Sequence, residues 1–224
     1  VKKSLPKYLT LEQCLSLLKN VNGEYKERDY CIITLFLNCG MRLSELCGMN
    51  MTDIRENTVR ILGKGNKERI VYLNKACQNA LDTYIKYRNS HPIAPQDRNA
   101  LFLNRNGHRL GTRRVEQIVD DQLKKAGLDQ YGFSVHKLRH TAATMMYQYG
   151  NVDTLTLKEI LGHKSTATTE IYTHLSNAIL QEAADHSPLA EITNHPASDE
   201  SDPDEPDVVS VVLPDVLPEN ENKE

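Results

Sequence analysis

Residues 58–73 read Thr-Val-Arg-Ile-Leu-Gly-Lys-Gly-Asn-Lys-Glu-Arg-Ile-Val-Tyr-Leu, and this stretch decides between an all-helical fold and a mixed one. Two alternating runs, rich in β-branched residues, flank a Gly-Lys-Gly-Asn turn at 63–66, which is typical of a β-hairpin. The turn places Lys64 at the hairpin tip. There its ammonium is either a proton donor to a departing oxygen or an ordinary solvated turn lysine. We therefore predict a small antiparallel sheet.

The rest of the chain shows mainly helical patterns. Thr10-Leu11-Glu12-Gln13 is a capping-box sequence, which predicts a helix that extends to about Lys19. Further helices are predicted over residues 28–39, 75–88, 112–126 with Thr112 as its cap, 134–149, 156–161, 166–174 and 178–184. Residues 101–103 are a candidate third short strand. The predicted fold class is mainly α with a small antiparallel β-sheet, an α+β fold.

The segment Gly40-Met41-Arg42-Leu43-Ser44-Glu45-Leu46 follows the helix predicted over residues 28–39. Gly40 permits the left-handed turn that ends a helix. Arg42 then lies at the start of the next short helix, where backbone donors also favour an anion. Glu45, one turn beyond Arg42, can hold its guanidinium in place, although the same spacing also fits an ordinary surface ion pair.

Three motifs in the C-terminal half combine basic groups with one phenol. They are His136-Lys137-Leu138-Arg139-His140, Leu161-Gly162-His163 and Ile171-Tyr172-Thr173-His174. On a helix, His136, Arg139 and His140 share one face, and such a face favours an anion. Arg139 offers a planar fork of donors to phosphate oxygens, and His136 and His163 can move protons. Because Tyr172 can attack phosphorus, the motifs predict a phosphate clamp beside a nucleophile and a phosphotyrosyl product.

Together and in their order along the chain, these five segments resemble the tyrosine recombinase family, which includes the Xer-like recombinases and the integrases of phages and conjugative elements. The resemblance covers roughly Lys7 to Gln181 and implies the catalytic-domain architecture of that family. The catalytic residues that it implies are Arg42, Lys64, His136, Arg139, His163 and Tyr172, with Glu45 in support. In these roles the arginines clamp the scissile phosphate, the histidines hydrogen-bond it, the lysine is the general acid and the tyrosine is the nucleophile.

Further contacts to DNA are predicted at Lys67, Arg69, Arg113, Arg114 and His140. The resemblance implies a site-specific DNA recombinase or integrase that cleaves and rejoins double-stranded DNA through a 3′-phosphotyrosyl intermediate. It would act as a tetramer at specific recombination sites, for integration, excision or dimer resolution of a mobile element or chromosome. Phosphodiester bond energy is conserved in this reaction, so no ATP, metal or other cofactor is expected.

Two alternatives remain, one with closely related chemistry and one from another functional class. A type IB topoisomerase would nick and reseal one duplex as a monomer with similar groups. A catalytically silent DNA-binding regulator could use the same scaffold, but the full set of six catalytic residues argues against it.

Charge divides the chain into a body and a tail. The formal net charge of −3 combines −9 in residues 195–224, which contain ten carboxylates and one lysine, with +6 in the preceding residues. We predict one catalytic domain over residues 1–190 and an acidic, disordered tail over 195–224. A basic body suits DNA-backbone binding. Within the tail, Val208–Leu213 is β-prone and could join a sheet edge or a partner, whereas the alternative is a solvated extension.

Cysteine usage and hydropathy indicate a cytoplasmic protein. The five cysteines are odd in number and lack metal-ligand spacing, so we expect reduced core thiols and no metal site. No apolar run approaches the ~20 residues of a membrane span, so we expect no membrane association. The chain opens at Val1, and the family usually carries a helical domain upstream. We therefore expect a fragment or a processed form of a longer protein.

Overall fold

The computed structural model of the chain describes residues 8–63, 68–150, 157, 181–182, 184–190 and 192. The helices within these ranges are α1 (Leu11–Lys19), α2 (Lys26–Cys39), α3 (Leu43–Gly48), α4 (Lys75–Asn89), α5 (Thr112–Lys125) and α6 (Val135–Tyr149). The strands are β1 (Ile54–Arg55), β2 (Thr58–Leu62) and β3 (Glu68–Tyr72). This mainly helical fold with a small antiparallel sheet confirms the predicted fold class.

Helix α2 is the central element of the core. Every residue from Arg28 to Cys39 is buried, and α2 packs against α1, α4, α5 and α6. A helix enclosed on all sides must carry apolar residues around its whole circumference, which explains the run of Ile, Leu and Phe that predicted it. It ends at Gly40, whose φ of 57° lies in the left-handed region, as the sequence predicts.

The hairpin is present, and its strands alternate between the two faces of the sheet. The order is β1-β2-β3, all antiparallel, with Val59 opposite Val71 and Ile61 opposite Arg69. Val59, Ile61 and Val71 are buried, whereas Leu62 and Ile70 are exposed. One face of the sheet therefore completes the core, and the other faces outward.

The third strand is β1, and the prediction of a strand at residues 101–103 is wrong. Side chains of α4 hydrogen-bond the backbone of this segment instead. The Tyr84 hydroxyl donates to the Leu101 carbonyl and accepts from the Leu103 N–H, each at 3.1 Å. Arg88 adds donors to the carbonyls of residues 98, 100 and 101. Because the backbone groups of this segment already have partners, only an isolated bridge forms, between Leu103 and Arg109.

Most helix ends agree with the sequence. Helix α1 begins at the predicted capping box, in which the Thr10 hydroxyl accepts from the Gln13 N–H at 3.2 Å and Gln13 Oε1 accepts from the Thr10 N–H at 2.9 Å. Thr112 does not cap α5: it is the first helical residue, and extended Gly111 is the N-cap, without a side-chain hydrogen bond.

The N-terminal segment is fastened to α6. The Leu9 N–H donates to the Thr141 hydroxyl at 2.9 Å, and that hydroxyl donates to the Lys137 carbonyl at 2.8 Å. Leu9 and Thr141 are both fully buried. The start of the described chain is therefore attached to the helix that carries His136 and Arg139.

A C-terminal segment, of which residues 181–182 and 184–190 are described, packs against the same core. The Asn74 amide donates to Asn38 Oδ1 at 2.8 Å and to the Ala184 carbonyl at 3.2 Å. The Ala76 N–H donates to the Ala190 carbonyl at 2.7 Å, and Leu189 is fully buried. The helices predicted over 156–161, 166–174 and 178–184 fall mostly outside the described residues, as does the predicted tail.

All five cysteines are buried and carry free thiols, with Cys39 Sγ and Cys77 Sγ 3.7 Å apart.

In the part of the chain that the structure describes, no three His, Cys, Asp or Glu side chains are grouped as metal ligands would be. Among the same residues, none of the helices has both the length and the hydropathy of a membrane span.

Candidate active site

The first element of the site is the turn between α2 and α3. Gly40 ends α2 in the left-handed conformation, and extended Arg42 is the N-cap of α3. Glu45 lies one turn later, and its Oε2 accepts from the Arg42 backbone N–H at 2.8 Å. Its Oε1 accepts from Arg42 Nη1 at 2.9 Å, so both the backbone and the side chain of Arg42 are held.

Glu45 also binds an arginine from the sheet. Arg69 Nη2, on β3, donates to Glu45 Oε2 at 2.8 Å. The Glu45 side chain is only 2% exposed and that of Arg69 is 15% exposed, whereas Arg42 retains 36% exposure. One buried carboxylate therefore joins α3 to the sheet, while the Arg42 guanidinium stays accessible.

Helix α6 brings a third guanidinium to this place. Arg139 is buried and its Nη1 donates to the carbonyl of Gly40, the residue that ends α2. Packing of α6 against α2 makes this reach possible. We call the three guanidiniums of Arg42, Arg69 and Arg139 around Glu45 the arginine cluster.

Among the residues that the structure describes, the arginine cluster combines three guanidiniums with the Glu45 carboxylate. Burial, and then the charge of Arg42, lower the pKa of Arg139 to about 10, partly offset by Glu45. Burial also lowers the pKa of Arg69. Burial alone would raise the pKa of Glu45, but the hydrogen bond from the Arg42 backbone and the charges of Arg69 and Arg42 hold it below its usual value. A group of guanidiniums with one partly exposed member, Arg42, can donate charge-assisted hydrogen bonds to an anion such as a phosphate.

His136 and His140 lie exposed on α6, and their ring centroids are 6.2 Å apart. His136 precedes Arg139 by three residues, so the two side chains leave α6 on neighbouring positions. Arg139 points inward to Gly40, whereas His136 remains in contact with solvent. A molecule that bound the exposed edge of the arginine cluster would find both histidines on the adjacent helix surface.

The structure brings together Arg42, Glu45 and Arg139 of the predicted site, with Arg69 as the fourth member. Arg113 and Arg114 are exposed in the first turn of α5, a helix that packs against α3. Four predicted residues lie outside the described residues: Lys64, Lys67, His163 and Tyr172. Their roles, and those of the described site residues, stay predictions.

Arg109 is a residue that sequence reasoning missed. Its Nη1 donates to the carbonyls of Cys47 and Met49, each at 3.0 Å, and its Nη2 donates to Asn50 Oδ1 at 2.6 Å. These bonds satisfy carbonyls at the C-terminal end of α3 and so fix the short helix that carries Glu45. Arg109 lies 59 to 62 positions from its partners, so no local pattern in the sequence signals it.

Comparison with known proteins identifies the family of the chain. The phage integrase family matches residues 7–178. A tyrosine recombinase XerC of Caldanaerobacter subterraneus subsp. tengcongensis is 49% identical over 186 residues, which are 83% of this chain and 52% of that protein. The XerC of Corynebacterium glutamicum is 40% identical over 188 residues, 82% of this chain and 59% of that protein. The chain thus spans between half and three fifths of the length of these relatives.

Solved structures show the same fold. The crystal structure of XerA recombinase matches with a TM-score of 0.63 and 32% identity, over 80% of this chain and 64% of that one. The XerH site-specific recombinase, bound to its difH substrate in a pre-cleavage complex, matches with a TM-score of 0.62 and 30% identity, over 82% of this chain and 55% of that one. These matches confirm the resemblance seen in the sequence, and the chain belongs to the phage integrase family, in which its relatives are tyrosine recombinases.

Proposed function

We propose that this chain is the catalytic part of a site-specific DNA recombinase, which cleaves and rejoins double-stranded DNA through Tyr172. The observation that carries the proposal is the arginine cluster. It brings together guanidiniums from the start of α3, from β3 and from α6, and the Arg42 guanidinium stays accessible beside the buried Glu45 carboxylate. The family supplies the remainder: the XerC relatives are tyrosine recombinases, and XerH was crystallised on its recombination site.

In the proposed reaction the Tyr172 phenol oxygen attacks the phosphorus of a phosphodiester. A bond forms between that oxygen and the phosphorus, and the bond from phosphorus to the 5′ oxygen breaks. The products are a 3′-phosphotyrosyl link and a free 5′-hydroxyl, which requires that the leaving oxygen receive a proton. One ester replaces another, so the 5′-hydroxyl of a second strand can reverse the step without ATP.

The residues of the site divide this work. Arg42 and Arg139 would donate charge-assisted hydrogen bonds to the nonbridging oxygens, where negative charge accumulates in the transition state. His136 and His163 would hydrogen-bond the phosphate and take the phenol proton. Lys64 would protonate the leaving oxygen. Glu45 touches no reacting atom in this scheme, and its part is to fix Arg42 before DNA arrives.

Further expectations complete the proposal. The body over residues 1–190 would bind specific recombination sites as a tetramer, in the cytoplasm, with residues 195–224 as an acidic extension. Arg113, Arg114 and His140 would add contacts to the DNA backbone.

The test is covalent capture on a nicked suicide duplex, in which loss of a short 5′ fragment prevents religation. We expect a phosphotyrosyl adduct with the wild-type chain, none with Tyr172→Phe, and equal DNA affinity for the two proteins. An adduct that survives Tyr172→Phe contradicts the proposed nucleophile. Strand exchange between two duplexes supports recombination, whereas resealing confined to one duplex indicates topoisomerase-like activity instead.

A further inference from the structure

The Glu45 carboxylate is shared between two arginines that come from different parts of the fold. Arg42 belongs to the turn before α3, whereas Arg69 is the second residue of β3. Arg42 Nη1 lies 2.9 Å from Glu45 Oε1, and Arg69 Nη2 lies 2.8 Å from Glu45 Oε2. Any movement of β3 that carried Arg69 away would release one side of Glu45.

Arg69 points into the protein because of its place in the strand. Side chains along β3 alternate, and Glu68 and Ile70 on either side of Arg69 are exposed. Arg69 lies opposite Ile61, and Ile61 is buried. An arginine on this inner face cannot contact DNA from the outer face of the sheet, in contrast to the exposed Arg60 on the neighbouring strand, which pairs with Asp53 and Glu68.

Burial of Arg69 is costly, and the local charges do not fully compensate. Burial is the main cause that lowers its pKa, and the charge of Arg42 adds to it against the opposing effect of Glu45. Replacing buried ion pairs by apolar residues is often neutral or stabilising, so the pair is weak evidence for a role in stability. A role in placing other groups accounts better for a cation held beside two others.

We infer that Arg69 is a positioning residue for strand cleavage: it holds the Glu45 carboxylate so that Glu45 orients the Arg42 guanidinium toward the scissile phosphate. This inference rests on the proposed function of the site. It also links Arg69 to Lys64 along the chain, since β3 begins at Glu68, four residues after Lys64. Through Arg69 and Glu45, the strand that leads from the general acid is tied to one arm of the phosphate clamp.

The central experiment compares Arg69→Gln with Arg60→Gln, which removes an arginine from the exposed face of the same hairpin. Single-turnover adduct formation is measured at saturating DNA, and DNA affinity is measured separately at several salt concentrations. We expect Arg69→Gln to slow adduct formation by about tenfold to hundredfold, the range for a misplaced catalytic group. Its DNA affinity and the salt dependence of that affinity should match wild type, and Arg60→Gln should cleave at nearly the wild-type rate.

A double-mutant cycle tests whether Arg69 acts through Glu45. In a Glu45→Gln background, Arg69→Gln should change the cleavage rate by less than about twofold, because the group through which it acts is already gone. Arg69→Lys should recover part of the rate, since it keeps one charged donor for the carboxylate. A full additional loss in the Glu45→Gln background would overturn the inference.

A second readout needs no cleavage. Hydrogen exchange of the Arg42 Nη–H groups, which donate to Glu45 Oε1, followed by ¹⁵N NMR, should accelerate in Arg69→Gln and stay unchanged in Arg60→Gln. Unchanged exchange at Arg42 in Arg69→Gln would overturn the inference. Thermal unfolding identifies any variant that fails to fold, and Arg69→Lys then replaces it in this measurement.

The outcomes separate this inference from the proposed function. If Arg69→Gln cleaves at the wild-type rate when saturated but binds DNA more weakly, with a salt slope reduced by about 0.9, Arg69 is a phosphate contact and the inference is wrong. If the wild-type chain forms no adduct, or Tyr172→Phe still forms one, the proposed function is wrong. In that case the Arg42 exchange measurement still decides whether Arg69 holds Glu45 and Arg42 in place.

Discussion

Replacing Arg139 by methionine separates two roles open to this buried guanidinium, that of a phosphate ligand and that of a structural clamp. Methionine keeps much of the side-chain volume but removes the charge and every donor. In the folded chain, Arg139 donates to the Gly40 carbonyl and lies close enough to Arg42 for their charges to interact. The substitution therefore changes both the chemistry of the site and the stability of the fold, by amounts that can be worked out separately.

The effect on cleavage should be large. Loss of two charge-assisted hydrogen bonds to the transition state, at roughly 1.5–3 kcal/mol each, costs about 3–6 kcal/mol. Since about 1.4 kcal/mol corresponds to a tenfold change in rate, we expect Arg139→Met to slow adduct formation by about 10²- to 10⁴-fold.

The effect on stability should be small, because two contributions have opposite signs. Burial, then repulsion from Arg42, lower the pKa of Arg139 to about 10, so its protonated form is less favourable in the folded than in the unfolded chain. At neutral pH, removing the charge therefore stabilises the fold. The Gly40 carbonyl loses this donor, which costs about 1–3 kcal/mol. We expect a net change within about 1 kcal/mol, or a Tm shift of about 2–4 °C.

Covalent capture on a nicked duplex measures the rate, and thermal unfolding measures the stability, with Arg60→Met as the control for loss of an exposed arginine. An adduct rate within about threefold of wild type would refute the clamp. A Tm that falls by more than about 6 °C would instead show that Arg139 mainly holds α6 to the end of α2.

Three further predictions concern the general acid, the shared carboxylate and the tail. Lys64→Ala should cleave ordinary DNA slowly and recover on DNA with a 5′-bridging sulfur, which leaves without a proton. Equal defects on both substrates would instead indicate that Lys64 is a phosphate contact. Lys67→Ala, measured on the same substrates, tests whether Lys67 is the general acid in place of Lys64. Glu45→Gln should destabilise the fold by about 3 kcal/mol at pH 7. Because the pKa of Glu45 lies below its usual 4.5, urea unfolding should show this difference shrinking as the pH falls below that value, and a constant difference would contradict it. Truncation after Asn194 removes a segment of charge −9 and should tighten non-specific DNA binding at low salt, with a gain that fades toward ~0.5 M salt; unchanged titration curves would leave the tail a solvated extension.

Local patterns account for the part of the fold that sequence reasoning predicted. The capping box at Thr10 and the glycine after α2 fix helix ends through neighbours a few positions away, so the sequence signals them directly. Strand β1 has only two residues, too few for a period-two pattern, and it was missed. The apolar segment at residues 101–103 resembles a buried strand, but Tyr84 and Arg88 of α4 occupy its backbone groups.

In the candidate site, too, the sequence predicts local contacts but not long-range ones. Pairing of Arg42 with Glu45 is an i, i+3 contact that the sequence predicts and the structure contains. Arg69 was predicted as a DNA contact, whereas the alternation along β3 that buries Val71 places the Arg69 side chain on the same inner face. Its partner Glu45 is 24 positions away, and Gly40, which binds Arg139, is 99 positions away. Such contacts depend on how the elements pack, which no periodicity in one chain specifies.

The reactivity of the buried cysteines can report local unfolding of the helices that carry them. Cys14, Cys31, Cys47 and Cys77 lie one on each of the first four helices, and burial raises the pKa of each thiol, to about 12 for Cys14 and about 11 for Cys47. A protonated, enclosed thiol reacts with an alkylating reagent only after its helix opens. Pulsed labelling followed by mass spectrometry would therefore give an opening free energy for each helix without any engineered probe. If Cys47 is labelled first, α3, the helix that follows Arg42, opens before the rest of the core. Bound DNA that contacts Arg42 should then slow the labelling of Cys47 more than that of the other cysteines.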